Sequence, residues 1–191
     1  EVDICTLESG DFLLVHTHDL SAETSGRGRV DAYSPAQTRA LRLVHNRRVS
    51  EHPPALLSEV VSLLLERGGP TRLQLDWKDH APYHSSEPLE RLARLITPLG
   101  ERALVSSMAD WQLRALARVA PHIALGFDIH LHIDYDPSGS APEPDVFPRG
   151  TGAYGYRDDH PLASGRWGTP ADYLAQRCDE LMRLVPRAQV F

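Results

Sequence analysis

Apolar positions fall into short blocks separated by turn residues. Residues 1–7 read as a strand, because Val2, Ile4 and Leu7 are apolar and the charged Glu1 and Asp3 alternate with them. Glu8-Ser9-Gly10-Asp11 is a turn, and residues 12–16 form a second short apolar strand. Residues 17–30 are polar and contain glycine, as expected of a loop. Ser34-Pro35 starts a helix, with Ser as the N-cap and Pro at the first helical position, and that helix is expected to run to about Arg48. A second helix starts near Pro53 or Pro54 and stops at Gly68-Gly69.

The pattern then alternates. Residues 71–78 form a strand with Leu73, Leu75 and Trp77 on one face, and residues 87–99 a helix with Leu89, Leu92, Leu95 and Ile96 apolar. Strand 102–107, helix 109–119 and strand 123–127 follow. A long stretch rich in Gly, Pro, Tyr and His runs from 128 to 168, then Thr169-Pro170 opens a helix ending near Leu184, and residues 189–191 begin a strand. Strands alternating with helices imply parallel strands joined by crossover helices. The expected fold is α/β, a (β/α)₈ TIM-type barrel. Such a barrel takes roughly 250 residues, and only six strands are legible here. The expectation is therefore one partial domain over residues 1–191, with the first strand and the last strand or two missing and a long loop insertion at about 128–168.

Composition narrows the classes. With 41% apolar and 24% charged residues, the 191-residue chain matches an ordinary globular domain. A net charge of −6 argues against a nucleic-acid surface. No apolar run is long enough for a transmembrane segment. Cys5 and Cys178 read as two buried thiols rather than a disulfide scaffold. The chain opens on Glu-Val-Asp without a signal peptide, so a cytoplasmic setting is expected, although a lost N-terminal segment would remove that clue. Of the 20 basic residues 19 are Arg, so the single Lys78 invites a special role for a compact ammonium, against chance as the alternative.

Glu1 and Asp3 stand two apart on a strand and share a face. This is either a simple polar face or a pair of carboxylates that a divalent cation would stabilise. Asp76 and Lys78 repeat the spacing, either as a structural ion pair or as part of an oxygen-rich site suited to Mg²⁺ or Ca²⁺. His16 falls at the end of the second strand, and strand ends carry catalytic groups in barrels.

These residues lie in a recognisable order. Glu1-Val-Asp3-Ile, the turn Glu8-Ser-Gly10-Asp, Leu13-Leu-Val-His16 and Thr24-Ser-Gly26-Arg-Gly28-Arg-Val30 resemble the opening of the glycerophosphodiester phosphodiesterase family. Leu75-Asp76-Trp77-Lys78, Val105-Ser106-Ser107-Met108 and Pro121-His-Ile-Ala-Leu125-Gly126 resemble its later strands, so the likeness covers residues 1 to about 127 and resumes weakly near Gln189. The chain departs from the pattern at Thr17 (Asp in the family), Asp76 (Glu) and Ala22 (Arg), with Glu23 following.

The resemblance implies a phosphoric diester hydrolase of lipid metabolism, cleaving a small-molecule glycerophosphodiester to an alcohol and glycerol 3-phosphate. It implies Glu1, Asp3 and Asp76 as metal ligands, His16 as the general acid and Lys78 as a substrate phosphate contact, with a divalent cation, Mg²⁺ or Ca²⁺, as cofactor. It also places a second catalytic histidine in an H-R-G segment upstream of the E-x-D strand. His18-Asp19 offers a shifted alternative to His16 that breaks register with Gly26 and Gly28. Two rival functions stay open: a related lysophospholipid or sphingomyelin-type phosphodiesterase or lyase, and a non-catalytic barrel that binds a phosphodiester or a partner. His130 and His132 read as a strand-end face or pocket lining, and Tyr154, Tyr156 and Trp167 as a lid or a local mini-core. His80, His84, His122 and His160 read as solvated loop residues.

Overall fold

The structure, a computed structural model, describes residues 1–81, 83–128, 170–185 and 188–190. Its strands are β1 (Val2–Thr6), β2 (Phe12–Leu13), β3 (Val44–His45), β4 (Arg48–Val49), β5 (Leu73–Trp77), β6 (Ala103–Ser107), β7 (Ala124–Phe127) and β8 (Ala188–Val190). Its α-helices are α1 (Pro35–Thr38), α2 (Leu57–Arg67), α3 (Glu87–Ile96), α4 (Asp110–Val119) and α5 (Pro170–Met182). The main sheet runs β2-β1-β5-β6-β7-β8. Its neighbours are parallel except β1–β2, which forms an antiparallel hairpin. Helices α2 to α5 each connect one parallel strand to the next, so the fold is that of a (β/α)₈ barrel, of which the described residues form five parallel strands. The sheet is open among the described residues. The expected loop at 128–168, with His130, His132, Tyr154, Tyr156, His160 and Trp167, lies outside them.

Strand alternation sets the two faces of the sheet. Leu75, Trp77, Val105, Leu125 and Phe127 are buried and join Leu92, Leu113 and Leu116 in one core between sheet and helices. Each such side chain contributes about 1.5–3 kcal/mol by leaving water. Trp77 anchors this layer, edge-on to Phe12 at 6.1 Å and stacked on Tyr83 at 5.6 Å. The opposite face is polar. Register places Asp3, Asp76, Ser106 and Gly126 in one row across four strands. A second core of Leu7, Leu13, Val15, Leu20, Val30, Leu41 and Leu56 packs around Cys5 and organises the excursion between β2 and α2.

Two expectations need correction. The helix anticipated from Ser34 to about Arg48 is only the single turn α1, after which the chain forms the β3–β4 hairpin. Asn46 and Arg47 at its tip have φ of 50° and 62°, the left-handed pair that a two-residue hairpin turn demands and a helix forbids. The strand expected to end at His16 ends at Leu13, on the antiparallel edge strand β2, so His16 lies in the turn beyond it. α2 behaves as expected at its end: Gly68 caps it and Gly69 takes φ 51°, which favours glycine. Its start is held from outside, by Asp11, whose Oδ2 accepts from Ser58 Oγ at 2.5 Å and whose Oδ1 accepts from the Ser58 amide at 3.2 Å.

Candidate metal and phosphate site

The row on the polar face holds the carboxylates. β1 and β5 are parallel neighbours with Asp3 opposite Asp76, so both side chains leave the sheet on one side. Glu1, two residues before Asp3, joins them: the three residues each offer an oxygen within 4.8 Å of the others. Lys78, two residues past Asp76, places Nζ 3.0 Å from Asp3 Oδ1 and 2.6 Å from Asp76 Oδ2. Burial alone would lower the pKa of this ammonium. Hydrogen bonds to Asp76 and Asp3, together with their charge, outweigh burial and hold it above its ordinary value.

One ammonium does not balance three carboxylates, and it leaves one oxygen unserved. Asp76 Oδ1 is buried and has no hydrogen-bond partner among the described residues. A buried acceptor left bare costs on the order of 1–3 kcal/mol. A cation bound to that oxygen would remove the cost, and an all-oxygen ligand set suits Mg²⁺ or Ca²⁺ rather than Zn²⁺. The residues present therefore fit a divalent cation.

Two histidines follow β2, with different fates. His16 is exposed, and its ring makes no hydrogen bond among the described residues. Its amide donates to both oxygens of Glu23, at 3.0 and 3.2 Å. His18 is turned toward the end of β5, where Nε2 lies 2.9 Å from the Lys78 carbonyl and Nδ1 3.4 Å from Asp79 Oδ1. Asp79 itself is buried: its Oδ2 accepts from the Thr6 amide at 2.9 Å, Thr6 Oγ1 at 2.5 Å, Trp77 Nε1 at 2.7 Å and the Tyr83 hydroxyl at 2.9 Å. The Lys78 carbonyl thus engages Nε2, whereas Nδ1, near Asp79, is buried and makes no hydrogen bond among the described residues. Burial, with Asp79 adding to it, pushes the Tyr83 hydroxyl up. Burial likewise pushes the Cys5 thiol far up, with Asp79, Glu23 and Asp3 adding to it, so Cys5 is no nucleophile.

Glu23 and Asp79 had no signal in the sequence. Glu23 works through backbone amides seven and six residues earlier, and Asp79 through groups contributed by three different segments. The alternation that marks Asp76 and Lys78 predicts only that Asp79 points with Trp77 to the other side.

An open run of parallel strand–helix units, with acidic and basic side chains on the polar face of the sheet, defines the class: a (β/α)₈ barrel. No protein-family model matches the sequence, and no curated protein matches it. Solved structures do. A glycerophosphoryl diester phosphodiesterase from Parabacteroides distasonis superposes with a TM-score of 0.51 at 22% identity, over 66% of this chain and 42% of that one. A glycerophosphodiester phosphodiesterase from Agrobacterium tumefaciens gives 0.55 at 17% identity, over 67% and 53%. A phosphodiesterase from Oleispira antarctica, solved in complex with the product sn-glycerol-3-phosphate, gives 0.50 at 18% identity, over 66% and 52%. The chain spans about half the length of the structures it matches. At these identities the likeness is one of fold. Among the described residues no helix is long and apolar enough to cross a membrane.

Proposed function

We propose that this chain carries the catalytic site of a glycerophosphodiester phosphodiesterase, which cleaves a glycerophosphodiester to an alcohol and glycerol 3-phosphate in lipid turnover. The observation that carries the proposal is the convergence of Glu1, Asp3 and Asp76 around the ammonium of Lys78, on a barrel shared with solved phosphodiesterases. That one such structure is solved with sn-glycerol-3-phosphate supports a small phosphodiester as the substrate.

Glu1, Asp3 and Asp76 would hold the cation through carboxylate oxygens. A bound Mg²⁺ or Ca²⁺ supplies Lewis-acid polarisation of a phosphoryl oxygen and fixes its position. Lys78 keeps Asp3 and Asp76 in place and turns its remaining N–H toward a second phosphoryl oxygen. Water forms the new oxygen–phosphorus bond and gives up a proton to the second histidine that the resemblance places in an H-R-G segment. The bond from phosphorus to the alcohol oxygen breaks, and its electron pair stays on that oxygen. His16 holds a proton on its ring and gives it to the departing oxygen; this general acid catalysis contributes roughly 10²- to 10⁴-fold. His16 suits the role because its ring is exposed and uncommitted, whereas His18 spends Nε2 on the Lys78 carbonyl and buries Nδ1.

The test is hydrolysis of glycerophosphocholine with added Mg²⁺ or Ca²⁺, reading glycerol 3-phosphate and choline separately. The expected result is both products in equal amounts, abolished by chelation. A cyclic phosphate would identify a lyase instead. Cation binding without any turnover would identify a non-catalytic barrel.

A further inference from the structure

A carboxylate, rather than a strand partner, shapes the turn that carries His16. β2 ends at Leu13, and Leu14 and Val15 are the last residues whose amides bond to backbone, at Ala55 O and Leu13 O. At the next two positions both amides point at Glu23: the His16 amide lies 3.0 and 3.2 Å from its two oxygens, and the Thr17 amide 3.2 Å from Oε1. Glu23 is a firm anchor. Its carbonyl accepts from the Val44 amide at 2.7 Å, which ties it to the β3–β4 hairpin. Buried Thr24 beside it donates Oγ1 to the Leu20 carbonyl at 2.7 Å and accepts from the Gly26 amide at 3.0 Å.

We propose that Glu23 is a positioning residue for the reaction: by gathering the amides of His16 and Thr17 on one carboxylate it fixes the backbone of the turn and aims the His16 ring at the leaving-group oxygen. The inference rests on His16 being the general acid. Amide-to-carboxylate bonds are charge-assisted and about twice as strong as neutral ones. They replace the sheet bonds that a three-residue turn beyond β2 lacks. Without them the turn samples several conformers, and a displacement of about 1 Å at the reacting group can cost on the order of 10²-fold.

The experiment compares two substrates. Glycerophosphocholine releases an alkoxide that needs a proton; the p-nitrophenyl ester of glycerol 3-phosphate releases a phenolate that does not. His16→Asn should lower kcat by roughly 10²- to 10⁴-fold on the first and little on the second. Glu23→Ala should show the same asymmetry at roughly 10- to 10²-fold, in kcat rather than KM. Glu23→Gln, which keeps one carbonyl acceptor and the side-chain shape, should recover part of the loss. Equal losses on both substrates for Glu23→Ala, or no loss, overturn the positioning role. Equal losses for His16→Asn overturn the assignment of the acid itself, and with it the inference. A thermal melt of each variant separates these outcomes from misfolding.

Discussion

Asp76 is the residue on which the site turns. One of its oxygens accepts from Lys78 at 2.6 Å; the other is buried and bare. Asparagine at this position keeps the shape and removes the charge. It also leaves Lys78 with a single carboxylate partner, Asp3. Asp76→Asn should therefore weaken Mg²⁺ or Ca²⁺ binding by more than the roughly 100-fold that an outer-shell change can cost. The measurement is a calorimetric titration of wild type and variant with each ion. Equal affinities would mean that the bare oxygen faces something other than a cation, and that the three carboxylates form only a structural cluster with Lys78. The pair Glu1 and Asp3 could be read from their spacing, and so could Asp76 and Lys78. Spacing could not show that the two pairs lie in register on adjacent strands, because register is set by how α2 returns the chain to β5.

At the scale of elements, α3 is locked to the β1–β2 hairpin by Arg91. This side chain is buried: Nη1 lies 3.3 Å from both the Leu7 and Asp11 carbonyls, the guanidinium lies 5.7 Å from the Phe12 ring centroid, and Nη2 pairs with Glu87 one turn earlier. Arg91→Met would keep the apolar stem and strip the carbonyls of their donor. A loss of about 2 kcal/mol is expected, read as a lower denaturation midpoint at unchanged m-value. Arg91, by hydrogen bond and charge, holds the Glu87 carboxyl below its usual value against a smaller effect of burial. A depressed folded-state value stabilises above the ordinary carboxylate range and fades as pH falls through it. The difference between wild type and Arg91→Met should therefore shrink below about pH 4.5; a constant difference would locate the whole effect in the carbonyl bonds. Of the elements, the strands of the main sheet could be read as short apolar blocks between turn residues, with alternation plain in β5. The β3–β4 hairpin could not. Its tip is Asn46-Arg47 without glycine, and the arginines around it are good helix formers. His16 was assigned to a strand end because Leu14 and Val15 are apolar. Val15 belongs to the second core and Leu14 packs against the first, and neither extends β2.

At the scale of the molecule, a cation held as proposed by the three carboxylates would couple its binding to the stability of the fold. Asp3 sits on β1, with Glu1 just before it, and Asp76 sits on β5, strands separated by the whole excursion from Leu7 to Leu56 and by α2. The unfolded chain scatters these ligands, so a bound ion favours the folded state by an amount that grows with its concentration, about 2.7 kcal/mol at one hundred times Kd. For a chain of this size that corresponds to roughly 5–10 °C in Tm. Lys78 meets part of the same need, since its ammonium bridges Asp3 and Asp76 and offsets their repulsion. The two cations are therefore partly interchangeable in stabilising the fold, though not in chemistry. Lys78→Met should lower Tm in chelator, because the carboxylates then repel each other without compensation. Saturating Ca²⁺ should raise the variant's Tm by more degrees than it raises that of wild type, since more repulsion is left for the ion to remove. Thermal unfolding of both proteins, in chelator and across a Ca²⁺ series, checks this. If the ion raises Tm equally in both, Lys78 and the cation act at separate places. If it raises neither, the carboxylates of β1 and β5 do not form a cation site, and the proposed activity loses its structural basis.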